Sequence, residues 1–387
     1  VSTAPSTAHD HTHTAGPDLL YSEVEDELRA SVRALLADHC AWPTVLARVE
    51  TDEPYDVGLW RRLAAEVGVA GLAVPEAEGG AGASWREVAV VAEELGRAVA
   101  PVPFLGSAVL STVALLAVGD SALVGDLASG TRTAALAVPL STAPDAAFPG
   151  GVRVEPGEVL TGAVTSVADV LPADVLLVPA LGEAGPALYA VDRAAEGVTL
   201  TGVSSLDLTR RLADVTLRAA PGRLLASGTA ARDALRGALH TGAALLASEQ
   251  LGLAEQALAT TVDYLRTRHQ FGRPVGSFQA LKHRLADLWV GITQARAVAR
   301  YAVGTVADGD PDAGVAVAVA QSFVSELAVL ATEEMVQLHG GVGFTWEHPA
   351  HLYLKRAKAD AIALGSADHH RASLAGLIDL PGVPAVR

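Results

Sequence analysis

The sequence predicts an α+β chain in three parts: a helical N-terminal domain, a small middle β-barrel or sandwich, and a C-terminal four-helix bundle. Two observations carry this. Apolar residues recur at helical spacing up to about residue 125 and again after Pro221. Between those stretches lie short Val/Leu/Thr-rich runs separated by Pro, Gly and Asp, and they do not alternate with helices, which excludes a doubly wound parallel sheet. A third observation agrees with both: half of the 387 residues are hydrophobic but only 4 % are aromatic, the profile of an Ala-rich helical protein. The expected divisions are a disordered tail (1–20), the N-terminal helical domain (21–125), the middle β domain (126–222) and the bundle (223–387).

The Ser/Thr/Ala/His-rich start, with His9, His11 and His13, is too polar to build a core. From Glu23 the spacing of Val24, Leu28, Val32, Leu35 and Leu36 predicts a helix. A second is predicted over Val57–Val67, ending at Gly68. A short apolar segment, Val69 to Pro75, leads to the Gly-rich loop Glu78-Gly-Gly-Ala-Gly82. Ser84 and Glu87 have the S-x-x-E spacing of a capping box, so a helix starts there and runs through Val88, Val91 and Leu95. Leu105–Val118 is a further helix. The uncharged run Ala98–Gly119 around it is broken by Pro101 and Pro103, so a buried core helix is expected and no membrane span.

Strands are expected at Thr133–Pro139, Gly151–Glu155, Val159–Val167, Ala173–Ala180, Ala187–Asp192, Val198–Val203 and Ala213–Arg218. Long helices are expected at about Gly228–Arg266, Phe278–Ala307, Ala313–Leu338 and Pro349–Ile378. Their short connections imply an up-and-down bundle.

Composition narrows the function. A net charge of −16 argues against nucleic acid or an anionic membrane as partner. Cys40 is the only cysteine, so neither a disulfide framework nor a cysteine-rich metal site is expected. Val1 to Gly16 lacks the basic start of a secretory leader, and a cytoplasmic enzyme is the default expectation.

Two connections between the long helices carry the chemistry. The first runs Arg266-Thr-Arg-His-Gln-Phe-Gly-Arg-Pro-Val-Gly-Ser-Phe-Gln279. Arg266, Arg268 and Arg273 concentrate positive charge in an acidic chain, and guanidinium forks suit phosphate. Phe271 and Phe278 offer flat apolar surface, while Gln270 and Gln279 can hydrogen-bond a base or a polyol. The alternative is a charged helix–helix loop with two packing phenylalanines. The second connection is Gln337-Leu-His-Gly-Gly-Val-Gly-Phe-Thr-Trp-Glu347. Gly340, Gly341 and Gly343 stop the helix and let backbone approach a ligand, and Gln337 supplies an amide. Glu347 stands between Trp346 and His348, as a base shielded by a ligand would, or simply as a solvated carboxylate.

These two motifs resemble the R-x-R-x-Q-F-G-x-P-I-x-x-F-Q and Q-x-x-G-G-x-G-[FY] signatures of the acyl-CoA dehydrogenase family. Leu59-Trp-Arg-Arg62, Gly71-Leu-Ala-Val-Pro-Glu76 and Glu93-Glu-Leu-Gly-Arg97 are similar to its N-terminal pattern, and the resemblance spans about Glu23 to Leu377. It implies FAD as cofactor and α,β-desaturation of an acyl-CoA thioester. It also implies an electron-transfer flavoprotein or similar acceptor, and an oligomer whose flavins cross subunit boundaries. By that resemblance Arg268, Gln270 and Phe271 hold the diphosphate and adenine side across a subunit interface, Gln337 and Gly341 meet the adenosine, Gln279 and Gly340 also bind the cofactor, and Glu347 is the base. The family's other base position falls on Gly242 and Ala243, which have no acid–base group; with Ala244 they leave room for a bulky acyl group.

The match fails in two places. The family's T-E-P-x-x-G-S-D segment is replaced by Leu140-Ser-Thr-Ala-Pro-Asp145, where Ser141 and Thr142 retain hydroxyls for the flavin ring. Its E-G-T segment is replaced by Leu364-Gly-Ser-Ala-Asp368. Such divergence accompanies either a homo-oligomeric dehydrogenase or an α2β2 assembly of unlike chains. In the latter this chain is either the base-bearing half or a non-catalytic half that completes another chain's flavin site.

Overall fold

The computed structural model describes residues 18–380. The expected tail, with its three histidines, lies outside the described residues up to residue 17. Asp18 and Leu20, assigned to that tail by composition, are tied down instead. Arg86 donates to both of their carbonyls (2.6 and 3.1 Å), and Arg300 donates to that of Leu20 (2.9 Å).

The N-terminal part holds helices α1 (Glu23–His39), α2 (Trp42–Val49), α3 (Val57–Arg62), α4 (Trp85–Arg97), α5 (Thr112–Val118) and α6 (Ser121–Ala128). The capping box at Ser84 forms: Glu87 accepts from the Ser84 N–H (2.9 Å) and the Ser84 hydroxyl accepts from the backbone at the start of α4. Leu63–Val67 continues α3, and Phe104–Ser111 precedes α5, as wider π-helical turns. The apolar run around Leu105 is buried, as its interrupted composition requires. Two helices, α2 and α6, are too short to show a period and go beyond the sequence reading.

The middle part is one sheet. Its strands are β1 (Ala134–Leu136), β2 (Val152–Glu155), β3 (Val159–Ala168), β4 (Val175–Gly182), β5 (Gly185–Asp192), β6 (Val198–Gly202), β7 (Leu212–Pro221) and β8 (Arg223–Ser227), in the order β6-β7-β3-β2-β4-β5-β8. β1 pairs with β4 in parallel, and β4 with β5 antiparallel from Val175↔Asp192 to Gly182↔Gly185. Alternation divides the side chains between two cores. Leu176 and Val178 face a core internal to the sheet, whereas Val175 and Leu177 join the core shared with the helices.

The C-terminal part contains α7 (Gly228–Thr267), α8 (Gln279–Asp308), α9 (Ala313–His339), α10 (Ala350–Asp360) and α11 (Ala367–Leu377), with a two-stranded hairpin, β9 (His269–Gln270) and β10 (Arg273–Pro274), between α7 and α8. The predicted last helix is therefore two. Leu364 and Gly365 take left-handed backbone (φ 54° and 101°), which breaks the helix, and Ser366 caps the next one. α7 is buried all round from Thr241 to Ala254, so it is the axis of the molecule. The stretch Ala313–Phe344 is long and apolar enough to cross a membrane by length and composition, yet half of its most apolar window is buried in the protein.

A buried charge cluster joins the sheet to the bundle. Glu249 on α7 accepts from Arg210 (2.6 and 2.9 Å) and from Arg356 on α10 (2.6 Å). Arg210 also donates to Asp360 (2.8 Å) and Arg356 to Asp207 (2.6 Å).

Candidate cofactor site

The ends of α7 and α9 lie side by side. At the first, the Arg268 N–H caps the Tyr264 carbonyl (2.9 Å), and the chain turns back through β9 and β10. The turn residues Phe271 and Gly272 both have positive φ, as a two-residue hairpin with right-handed twist requires. At the second, α9 stops at Gly340 (φ 61°). Gly343 then passes so close to the Val336 carbonyl oxygen that a Cβ would stand 2.5 Å from it.

Between these two ends is a cavity of about 640 Å³, lined by Tyr264, Arg268, Gln270, Arg284, Gln337, His339, Gly340 and Gly341. That volume is typical of a small-molecule site. Arg284 pairs with Glu334 (2.6 Å), but no carboxylate pairs with Arg268 among the described residues. The side-chain amides of Gln270 and Gln337 make no hydrogen bond among the described residues either. Added Cβ atoms on Gly340 or Gly341 would meet nothing within 4 Å, so the backbone there is open to a ligand. A free guanidinium, two amides and bare backbone fit the diphosphate and adenosine of FAD. If Arg268 binds the diphosphate, Arg268→Ala removes a charge-assisted contact of about 1.5–3 kcal/mol, and FAD retention is expected to weaken by about tenfold or more. Flavin absorbance after gel filtration measures this, and unchanged retention would remove Arg268 from the site.

The structure thus brings five of the sequence-predicted residues together: Arg268, Gln270, Gln337, Gly340 and Gly341. The others lie elsewhere. Phe271 is at the hairpin tip, 89 % exposed and edge-on to Phe278 (6.1 Å). Gln279 is exposed and within 3.4 Å of the His283 ring nitrogen. Ser141 is exposed, and Thr142 donates to the Pro139 carbonyl (2.7 Å). Thr142 lines a separate cavity of about 200 Å³ with Asp145, Phe148, Arg232 and Arg236. Glu347 is exposed and has no hydrogen bond or ion pair among the described residues. The neighbouring Trp346 ring is engaged by His351 (4.4 Å) and Lys355 (4.3 Å). Tyr264, Arg284 and His339 were not read as site residues. Only their spacing from Arg268, Lys282 and Gln337 could have pointed to them.

The room expected beside Gly242 is filled. A Cβ on Gly242 would stand 2.5 Å from Leu110 and 3.1 Å from Leu364, so the small residues there serve close packing. Leu364 is fully buried, and its N–H donates to the Leu140 carbonyl (2.8 Å). The two segments that depart from the family pattern therefore bond directly to each other.

Residues 231–377 match the family model for the acyl-CoA dehydrogenase C-terminal domain, and residues 22–123 that for its N-terminal domain. The acyl-CoA dehydrogenase IpdE2 of Mycolicibacterium smegmatis is 38 % identical over 352 residues, covering 89 % of this chain and 95 % of that protein. FadE34 of Mycobacterium tuberculosis is 37 % identical over 296 residues, 76 % of this chain but 38 % of its own length. Among solved structures, the Tcur3481-Tcur3483 steroid ACAD G363A variant superposes with a TM-score of 0.82 at 32 % identity, covering 92 % of this chain and 98 % of that one. The ChsE4-ChsE5 complex from Mycobacterium tuberculosis gives 0.84 at 29 %, with 95 % and 100 % coverage. With its helical ends, its middle sheet and its two helix-end motifs, this chain belongs to the acyl-CoA dehydrogenase family of FAD-dependent oxidoreductases.

Proposed function

We propose that this chain serves the α,β-desaturation of an acyl-CoA thioester as one of two unlike subunits, α2β2. Its own part is to hold the nucleotide end of a FAD whose ring lies in a related partner chain. The observation that carries this reading is the closed contact of Leu110, Gly242 and Leu364 beneath Leu140, set against the open cavity at Arg268 and Gln337. A chain packed shut in one place and open in the other can give half a cofactor site. Two neighbours bear the names of two-chain assemblies, which supports the same reading, and the steroid ACAD among them supports a bulky, ring-bearing acyl group.

When bound, the flavin supplies the acceptor for the β-hydride, and a carboxylate must remove the α-proton. This chain binds and orients: Arg268 takes the diphosphate, Gln270 and Gln337 the polar edges of the nucleotide, and the exposed Phe271 ring the surface of the covering chain. Electrons leave to an electron-transfer flavoprotein or similar acceptor. Co-purified with its partner, the assembly should carry one FAD per two chains. The chain alone as an oligomer with one FAD per subunit, bleached by acyl-CoA, would overturn the reading.

A second reading keeps Glu347 as the base of a self-sufficient enzyme. Its place just past the glycine turn and its solvent access support it. Glu347→Gln separates the two, read by anaerobic flavin bleaching of the assembled enzyme. The two-subunit reading expects a rate within about threefold of wild type. A loss of about 10²–10⁴, typical of a general base, establishes Glu347 instead.

A further inference from the structure

His339, the last residue of α9, is 2 % exposed and lies between two aromatic rings. Tyr264 from α7 stacks on one face (centroids 4.4 Å apart, planes at 26°), and His348 from the following loop lies over the other (4.3 Å, 40°). The outer rings are themselves anchored. Tyr264 belongs to the α7 turn whose carbonyl binds the Arg268 N–H, and His348 Nδ1 accepts the Ala350 N–H (3.2 Å) at the start of α10. His339 Nδ1–H donates to the Met335 carbonyl (2.6 Å), which fixes its tautomer and leaves Nε2 buried without a partner.

We infer that Tyr264, His339 and His348 form a positioning column that sets the distance between the two halves of the nucleotide cradle. One half, Arg268 and Gln270, follows α7; the other, Gln337 to Gly341, ends α9. The two halves sit at the ends of α7 and α9, which pack against each other along their length, and a shift of about 1 Å in either would misalign a ligand bound by both. The inference rests on the cavity being the cofactor site.

The column is built to stay uncharged. The ionisable groups around it are Arg268 beyond Tyr264 on α7, Arg284 with its partner Glu334 across α8 and α9, Glu347 on the loop, and His351 and Lys355 on α10. No carboxylate makes contact with the rings among the described residues. Burial, then the neighbouring His339 and His351, push His348 down to about 4, and burial lowers His339. Protonating either imidazole places a buried cation in a stack with no counter-ion.

The test uses the assembled protein, with FAD retention and ADP binding by calorimetry between pH 8 and about 4. It also uses amide exchange at Gly340–Phe344, which needs no ligand. His348→Ala should weaken ADP about tenfold or more and speed exchange in that turn. His348→Phe retains a ring that cannot titrate, so it should restore ADP binding to within about twofold. Wild type should lose nucleotide as pH falls toward about 4, where His348 takes up its proton, and His348→Phe should lose less. Wild-type exchange and affinity in His348→Ala overturn the column, as does an unchanged acid profile in His348→Phe. A wild-type assembly that takes up neither ADP nor FAD at pH 8 overturns the cofactor reading, and the exchange measurement still decides the column.

Discussion

Replacing Glu249 by Gln should destabilise the protein by about 3–5 kcal/mol, the usual cost of breaking a buried ion pair from one side. Among the described residues, Glu249 is the only carboxylate that bonds both guanidiniums of the cluster, Arg210 and Arg356. An amide there would turn N–H donors toward a cation and leave Asp207 as the main counter-charge. Asp360→Asn is the informative contrast. Burial, and then the adjacent Glu249 charge, raise the Asp360 carboxyl well above the usual range and favour its protonated form, so its replacement by an amide should cost less than that of Glu249. The pH dependences have opposite signs. Burial works to raise Glu249, but Arg210 and Arg356 outweigh it and leave it below the usual range. Its contribution is therefore complete above about pH 4.3 and is lost as pH falls through its lower folded value. Asp360 keeps in the folded state a proton that the unfolded chain releases near about pH 3.9, so its contribution declines as pH rises above that value toward its raised folded pKa. Urea midpoints at pH 3, pH 5 and pH 8 measure both effects. The cluster has been misread if Asp360→Asn is as damaging as Glu249→Gln, or if Glu249→Gln unfolds with wild type.

The second large effect is expected at Gly252. In the crossing of α4 and α7, a Cβ on Gly252 would overlap the Glu93 carbonyl oxygen, and one on Gly96 the Glu249 carbonyl oxygen. Two helix backbones thus touch where neither has a side chain. Gly→Ala in a helix interior normally gains about 1 kcal/mol in propensity. Here the obstacle is main chain, which cannot rotate away, so overpacking at about 1–3 kcal/mol or more should win. Gly237 lies in the same helix with nothing closer than Val113 Cγ1 at 4.0 Å, and Gly237→Ala should raise the melting temperature. A stabilised Gly252→Ala would show that the helices separate at little cost.

Flavin retention in the Arg268 variant and bleaching in the Glu347 variant are read separately from stability in these two, whose sites adjoin on α7. A loss confined to one therefore locates the fault.

How much was legible follows from the range of each interaction. Long apolar, Ala-rich runs free of proline mark α7, α8 and α9, whose expected limits (Gly228–Arg266, Phe278–Ala307, Ala313–Leu338) fall within a residue of the observed ones. The Ser84 cap is a four-residue signal, and seven of the eight strands of the middle sheet announce themselves by composition and turns. The candidate cavity was legible as two local motifs, since Arg268 and Gln337 each belong to a helix end that its own glycines define. Tertiary structure decided the rest. The break at Leu364 depends on a left-handed residue held by Leu140, more than two hundred positions earlier, and no local period records such a partner. The space at Gly242 was unreadable for the same reason: a missing side chain means a pocket or a tight contact according to what packs against it, here Leu110 and Leu364. Composition alone also left Glu347 undecided between a shielded base and a solvated one. Its exposure comes from Trp346 packing on His351 and Lys355, a choice made by the fold of the loop and not by the residues that compose it.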